Sequence, residues 1–367
     1  MSGPLAAMER LERLLAALER VMAPGSEARA ALVARLRHTT GLSPANIEWA
    51  LAHCLERTPS PAERMQLIGS VARAPRAHVI LPGSVFVAPH RALALALAAT
   101  PRVFVKPSRR DPALIEALHQ QDPELFQLVQ RIEPQAGDHV FAYGSDVTLD
   151  VLRRELPPGS VLHAHGSGFG VAVVELDAGE AELASAARAI AEDTACFDQR
   201  GCLSPRFVLA RGASAAVEPF ARRLAEALGE LEQRLPLGRL EPSERAEGAW
   251  YRQCAAYAGA LLSAGSGAVS LRASSEAPEL VAEDGALALE VPPSGRYLEL
   301  IPIVRLEVAI RALRPWITCV GCANARLESL ILPWLDPVRV TRVGQMQRPP
   351  FDGPVDRRPS PVGELIR

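Results

Sequence analysis

The stretch Asp198-Gln199-Arg200-Gly201-Cys202-Leu203-Ser204, followed by Pro205 and Arg206, joins a helical pattern to a strand pattern. Upstream, Glu180 to Thr194 carries Leu183, Ala187 and Ile190 at helical intervals. Downstream, Phe207, Val208 and Leu209 form a short apolar run suited to a buried strand. A thiol at such a junction can face a cleft while both elements hold its backbone. Backbone N–H donors nearby would favour the thiolate and let Cys202 attack a carbonyl carbon. The competing reading is packing, because cysteine is among the most commonly buried residues.

Outward from this junction the chain alternates. Before it, Val79 to Leu81, Val103 to Val105, His139 to Ala142 and Val161 to His163 read as strands, with Pro89 to Ala99, Pro112 to His119 and Val147 to Glu155 as helices between them. From Val171 a second such unit begins, with a helix around Val217 to Leu235 and strands near Ala286 to Val291 and Tyr297 to Val304. Alternation of this kind predicts an α/β fold with parallel sheets and crossover helices. Residues 5–57 differ: Leu11, Leu14, Leu15 and Leu18 fall at helical spacing among Arg and Glu, which predicts an amphipathic helical preface. Thr58-Pro59-Ser60-Pro61 is suited to cap the next helix, and the Pro- and Arg-rich final dozen residues are expected on the surface.

The 367 residues are 48% hydrophobic, enough for a large core and for two or three domains. Forty Lys plus Arg against 42 Asp plus Glu give a net charge of −2, so no basic field points to nucleic acid or to an anionic membrane. The most apolar window, Val79 to Ala99, is interrupted by Pro82, Pro89, His90 and Arg91 and predicts no transmembrane segment. No signal-peptide pattern opens the chain, and its six cysteines do not form a disulfide framework, so the expected location is the cytoplasm. Cys319-Val320-Gly321-Cys322 has CxxC spacing but no second ligand pair, which favours packing over metal binding; no metal site is expected.

The DQxxCxSP pattern at Asp198 to Pro205 resembles the nucleophile segment of acyl-CoA reductases of the luciferase-system fatty acid reductase type, within the aldehyde dehydrogenase superfamily. Three further stretches match in order. Arg102-Val103-Phe104-Val105-Lys106-Pro107-Ser108 is similar to the superfamily's cofactor segment, Phe141-Ala142-Tyr143-Gly144-Ser145 to its "FTGS" turn, and Thr341 to Pro350 with Asp352-Gly353 to the reductases' closing segment. The resemblance spans about residues 78–367. It implies an aldehyde dehydrogenase-like fold, with an N-terminal helical region over 1–74 and a Rossmann-type nicotinamide cofactor domain over 75–165. An α/β catalytic domain carrying Cys202 would cover 166–335, and a C-terminal segment 336–367.

By the same resemblance Lys106 and Ser108 would contact the cofactor, Lys106 at its adenosine ribose. Where NAD-preferring relatives often have glutamate, this chain has Arg109, with Arg110 beside it. Two guanidinium groups could hold a 2′-phosphate, which points to NADPH, with NADH still open; the bland alternative is a solvated Arg pair. Gly144 and Ser145 precede a helix whose N–H groups could face the cofactor diphosphate, or Ser145 is simply an N-cap. The further glycine usual in that turn is absent, Leu149 standing in the region. Glu299 resembles the glutamate that holds the nicotinamide ribose; strand alternation alone would instead leave it in solvent.

His163-Ala164-His165-Gly166-Ser167-Gly168 stands where hydrolytic relatives carry a water-activating glutamate, and it holds no carboxylate. That suits acyl exchange with a carrier thiol rather than with water. His165 is a candidate acid or base, or a structural hydrogen-bonding residue. By the resemblance, Ser84 is the nearest match to the superfamily's oxyanion amide, the Cys202 N–H being the other candidate donor. The expected reaction is NAD(P)H-dependent reduction of an acyl-CoA or acyl-protein thioester to an aldehyde through an acyl-Cys202 thioester. Two alternatives are a non-redox cysteine acyltransferase and a catalytically degenerate binding or scaffold homologue. Association into a homo-oligomer is left open.

Overall fold

A computed structural model describes residues 4–272, 280–335, 338–351, 353 and 364–366. Asp352 and most of the final dozen residues lie outside these. The chain divides into two compact units. Residues 1–41, 50–167 and 348–367 form the first, and 42–49 with 168–347 form the second.

The first unit begins with four helices, α1 (Pro4–Met22), α2 (Glu27–Thr39), α3 (Pro44–His53) and α4 (Pro61–Gly69); the first part of α3 belongs to the second unit. Helix α4 starts at a capping box. The Ser60 hydroxyl accepts from Glu63 N while the Glu63 carboxylate accepts from Ser60 N, satisfying two otherwise orphaned donors. Strands and helices then alternate: β1 (Ala77–Ile80), α5 (Ala88–Ala99), β2 (Val103–Lys106), α6 (Ala113–Gln121), β3 (Gln127–Leu128), β4 (His139–Tyr143), α7 (Asp146–Glu155) and β5 (Val161–His165). The five strands are parallel in the order β5-β4-β1-β2-β3, and the short strand Glu364–Leu365 adds antiparallel to β5. Helix α5 is buried almost all round because it packs on both β1 and α1, so its ALALALAA run needs no polar face.

The second unit runs β6 (Phe169–Glu175), α8 (Glu180–Ala195), β7 (Pro205–Arg211), α9 (Val217–Arg234), α10 (Pro242–Ala258), β8 (Ala260–Ala264), β9 (Gly267–Leu271), β10 (Tyr297–Ile303), α11 (Leu306–Leu313), β11 (Ile317–Cys322), α12 (Ala325–Leu335) and β12 (Arg339–Arg342). The sheet order is β12-β11-β6-β7-β10-β9-β8, parallel except for the β8–β9 hairpin. Both faces are covered. Ala172, Val174 and Val208 meet Ile190, Ala221 and Leu224 of α8 and α9 on one side. Val171, Val173 and Phe207 meet Ile310 and Ile331 of α11 and α12 on the other. Burial on two faces is why β6 and β7 read as continuous apolar runs.

One expected strand is absent. Over Ala286 to Val291 the chain makes only an isolated antiparallel bridge, Val281 to Leu287, turned at Asp284-Gly285 and stopped by Pro292-Pro293. Among the described residues no helix is long and apolar enough to cross a membrane.

Candidate active site

Cys202 is exposed, in the turn that leads to the amino-terminal end of β7. The backbone before it is unusual. Phe197, Asp198 and Gln199 have φ of 54°, 49° and 64°, three successive non-glycine residues in the left-handed region. Each costs about 1–2 kcal/mol relative to right-handed backbone, so the turn persists only if its surroundings over-determine it.

They do. Asn46, from α3, accepts from Phe197 N at 3.2 Å and donates to the Ala195 carbonyl at 2.8 Å and to Asp198 Oδ1 at 3.3 Å. Asp198 Oδ1 also accepts from Arg296 Nη2 at 2.9 Å, Oδ2 from Gly238 N at 2.9 Å, and the Asp198 carbonyl from Gly295 N at 3.1 Å. The Gln199 amide donates to the carbonyls of Pro205 and Tyr297 and accepts from Tyr297 N. Arg206 donates to the Gln199 carbonyl at 2.7 Å. All three turn residues are buried, as are Asn46 and Arg296. Burial pushes the Asp198 carboxyl upward in pKa, and Arg296 pulls it back.

Beneath Leu203 and Ser204, strand β6 offers no side chain. A Cβ on Gly170 would stand 2.3 Å from the Leu203 carbonyl and 2.8 Å from Met346 Cε; one on Gly321 would meet Met346 Sδ at 2.5 Å. The two glycines thus make room for the Cys202 turn and for the fully buried Met346 of the closing segment. That segment is fixed by Asp193, whose carboxylate accepts from Gly344 N and Met346 N, and burial pushes its pKa up to about 7. Thr318 Oγ1 donates to the Cys202 carbonyl. Cys319 and Cys322 are buried on β11, and burial drives the Cys319 thiol up to about 12, which marks both as packing residues. Cys196 is buried where α8 ends. Among the described residues no three His, Cys, Asp or Glu side chains come together as metal ligands.

In the first unit the strand order reverses between β1 and β4, the switch point at which open α/β sheets bind ligands beyond the carboxyl ends of their strands. The expected cofactor residues of this unit all lie at such ends. Lys106 is the last residue of β2 and half-buried; Ser108 is half-buried, while Arg109 and Arg110 are exposed. The Ser108 hydroxyl accepts from Arg110 N, and a Cβ on Gly83 would stand 2.5 Å from it, so the loops after β1 and β2 press together. Ser84, exposed, follows Gly83. After β4, Ser145 caps α7 by accepting from Thr148 N, and Gly144 donates to the His165 carbonyl at 3.2 Å. A helix N-terminus at the switch point, a lysine and two exposed arginines fit a dinucleotide's anionic groups. Leu149, where a glycine is usual, is buried in the core under α7. His165 ends β5 with its ring stacked on Tyr143, centroids 4.1 Å apart.

Glu299 departs from the solvent reading. It lies mid-sheet on β10 between β7 and β9, is 7% exposed, and accepts from Arg272 Nε at 2.6 Å. Burial raises its pKa and Arg272 opposes that. Three residues that shape the turn ahead of Cys202 carry no sequence signal of their own, Asn46, Arg296 and Gly170, while Met346 lies within the Thr341 to Pro350 stretch. Asp198 had one, as part of the DQxxCxSP pattern.

Comparison with solved structures places this architecture among aldehyde dehydrogenases. An oxidoreductase from Marinobacter aquaeolei aligns at a TM-score of 0.66 and 14% identity, covering 96% of this chain and 80% of that one. An aldehyde dehydrogenase from Mycobacterium tuberculosis, complexed with NAD+, aligns at 0.62 and 14% identity over 93% and 78%. A NADP-dependent glyceraldehyde-3-phosphate dehydrogenase from Bacillus halodurans, complexed with NADP, aligns at 0.61 and 14% identity over 92% and 78%. No curated protein matches the chain. The family model for acyl-CoA reductase (LuxC) matches residues 13–355. With that match over nearly its whole length, on an aldehyde dehydrogenase fold, the chain belongs to the acyl-CoA reductase (LuxC) family of aldehyde-forming reductases.

Proposed function

We propose that this reductase converts an acyl-CoA or acyl-protein thioester to an aldehyde through a covalent acyl-Cys202 intermediate, with NADPH as the preferred reductant. The observation that carries the reading is the exposed Cys202 on a turn fixed from several sides. A degenerate scaffold would need neither the exposure nor the fixed turn.

The Cys202 thiolate attacks the thioester carbonyl carbon, an S–C bond forms, and the carrier leaves as a thiol with one proton. The Cys202 backbone N–H, with Ser84 as the second donor, would stabilise the oxyanion. Lys106, Ser108, Arg109, Gly144, Ser145 and Glu299 would hold the nicotinamide cofactor, whose chemistry there would be hydride donation. Glu299 would share its carboxylate between that ligand and Arg272. Addition of hydride to the acyl carbon gives a thiohemiacetal on Cys202, whose C–S bond then breaks to release aldehyde and return the thiolate. His165 would serve as the proton donor or acceptor for the oxygen. The stretch His163 to Gly168 has no carboxylate to activate water, so the acyl enzyme is spared hydrolysis.

The test is anaerobic incubation with a panel of acyl-CoAs and NADPH, following aldehyde directly and acylation by intact mass spectrometry. Cys202→Ala should abolish both while leaving cofactor affinity largely unchanged. Acylation persisting on the alanine variant would move the nucleophile to another residue.

A further inference from the structure

We propose that Asn46, Asp198 and Arg296 are positioning residues for the nucleophile: they hold the left-handed turn Phe197–Gln199, and through it they set the direction of Cys202. This rests on the reading of Cys202 as the nucleophile. Asp198 belongs to the DQxxCxSP pattern but was given no role there, Asn46 and Arg296 lie outside the family motifs, and Asn46 comes from 151 residues earlier in the chain than Phe197.

A helix that continues straight into a strand would carry its last residues in right-handed or extended backbone. Here α8 ends at Ala195 and the chain reverses its hand for three residues before Arg200, whose N–H closes back on the Phe197 carbonyl at 3.0 Å. Asn46 satisfies both ends of that reversal at once, one amide atom accepting from Phe197 N and the other donating to the Ala195 carbonyl. Asp198 is tied to three separate segments, by Asn46, Gly238 and Arg296. The Arg296 guanidinium is 1% exposed, and its Nε and Nη1 make no hydrogen bond among the described residues, so its contact with Asp198 is what it contributes there. Strained backbone that persists this close to a reactive group is characteristic of pre-organisation. Relaxing the turn would let Cys202, three residues on, sample directions other than the productive one.

The experiment is alkylation by iodoacetamide, in which the thiolate sulfur displaces iodide and the thiol proton passes to solvent. It needs neither thioester nor cofactor. Labelling of the Cys202 peptide is followed by mass spectrometry from pH 6 to pH 10 in the wild type, Asn46→Ala and the near-isosteric Asp198→Asn, each verified as folded by circular dichroism. Should Asn46→Ala fail to fold, Asp198→Asn carries the test. The expected result is a labelling rate lowered by about tenfold or more in the folded variants on the high-pH plateau, where the thiol is fully ionised. Variants that lose thermal stability but label at the wild-type plateau rate would overturn the proposal, reducing the three residues to a structural brace. Wild-type protein in which Cys202 does not label at all would overturn the nucleophile reading, and the present one with it.

Discussion

Asp198 and Arg296 form an ion pair with 0% and 1% side-chain exposure, so neither can turn to water when the other is lost. Asp198→Ala should therefore destabilise the protein by about 3–5 kcal/mol, since it leaves a buried guanidinium without its counter-charge. Chemical denaturation of the alanine variant beside Asp198→Asn measures this; equal stability of the two would mean that the charge contributes nothing. Arg109 is the opposite kind of residue, exposed in the loop that follows β2. If it holds a 2′-phosphate, Arg109→Glu should weaken NADPH use relative to NADH by about 1.5–3 kcal/mol, with repulsion adding to it. The ratio of kcat/KM values for the two cofactors reports the shift. An unchanged ratio would leave Arg109 a solvated side chain.

Among the elements, β6 is constrained at its very start. Gly170→Ala would drive a methyl group into the Leu203 carbonyl and the Ser204 backbone, and backbone cannot rotate away as a side chain can. Aldehyde formation should fall by on the order of tenfold or more through displacement of the nucleophile turn. A fully active alanine variant would show that the turn tolerates movement. The elements of the first unit were the most legible in the sequence. Strands β1, β2, β4 and β5 and helices α5 to α7 fall within a few residues of their expected places, because short β-branched runs alternate there with helical windows. The hairpin β8–β9 went unread: Ala260-Leu261-Leu262-Ser263-Ala264 has no β-branched residue, and its pairing is decided by β10 and by the helices packed on it. Alternation left Glu299 open between a cofactor role and solvent for a related reason, since it marks a half-exposed strand whereas β10 has strands on both sides and helices on both faces. Asn46 was invisible because its partners lie some 150 residues away. The placement of Cys202 just ahead of β7 and of Lys106 at the end of β2 was legible because local punctuation, Gly201 and Pro205 around one and Pro107 after the other, marks where their elements begin and end.

Across the whole molecule, all eight histidines fall in the first unit. Burial lowers the pKa of His78 and His139, and takes His163 down to about 3 and His90 to about 4, from an ordinary 6.5. The unfolded chain thus binds more protons than the folded one below pH 6.5, so the stability these groups contribute is complete above 6.5 and is lost as pH falls toward 4 and 3. Asp193 in the second unit acts with the other sign. Its folded pKa of about 7 exceeds the ordinary 3.8, so its contribution is complete below 3.8 and is lost as pH rises through 7. Hydrogen exchange at pH 5 and pH 7.5, corrected for intrinsic rates, should show protection in β1, β4 and β5 greater at the higher pH, and protection of the Gly344 and Met346 amides greater at the lower. Parallel changes in both units would contradict the assignment. The same Asp193 anchor governs the order of events when the protein is made. The turn ahead of Cys202 leans on Asn46 to one side of it in the chain, and Leu203 and Ser204 lie against Met346 to the other, so a ribosome must release residues up to about 346 before the reactive thiol has its final surroundings. Contacts so distant in sequence close slowly; Cys202 of the nascent chain is expected to react as an ordinary thiol, and to gain its positioned geometry only once synthesis of the scaffold around it is complete.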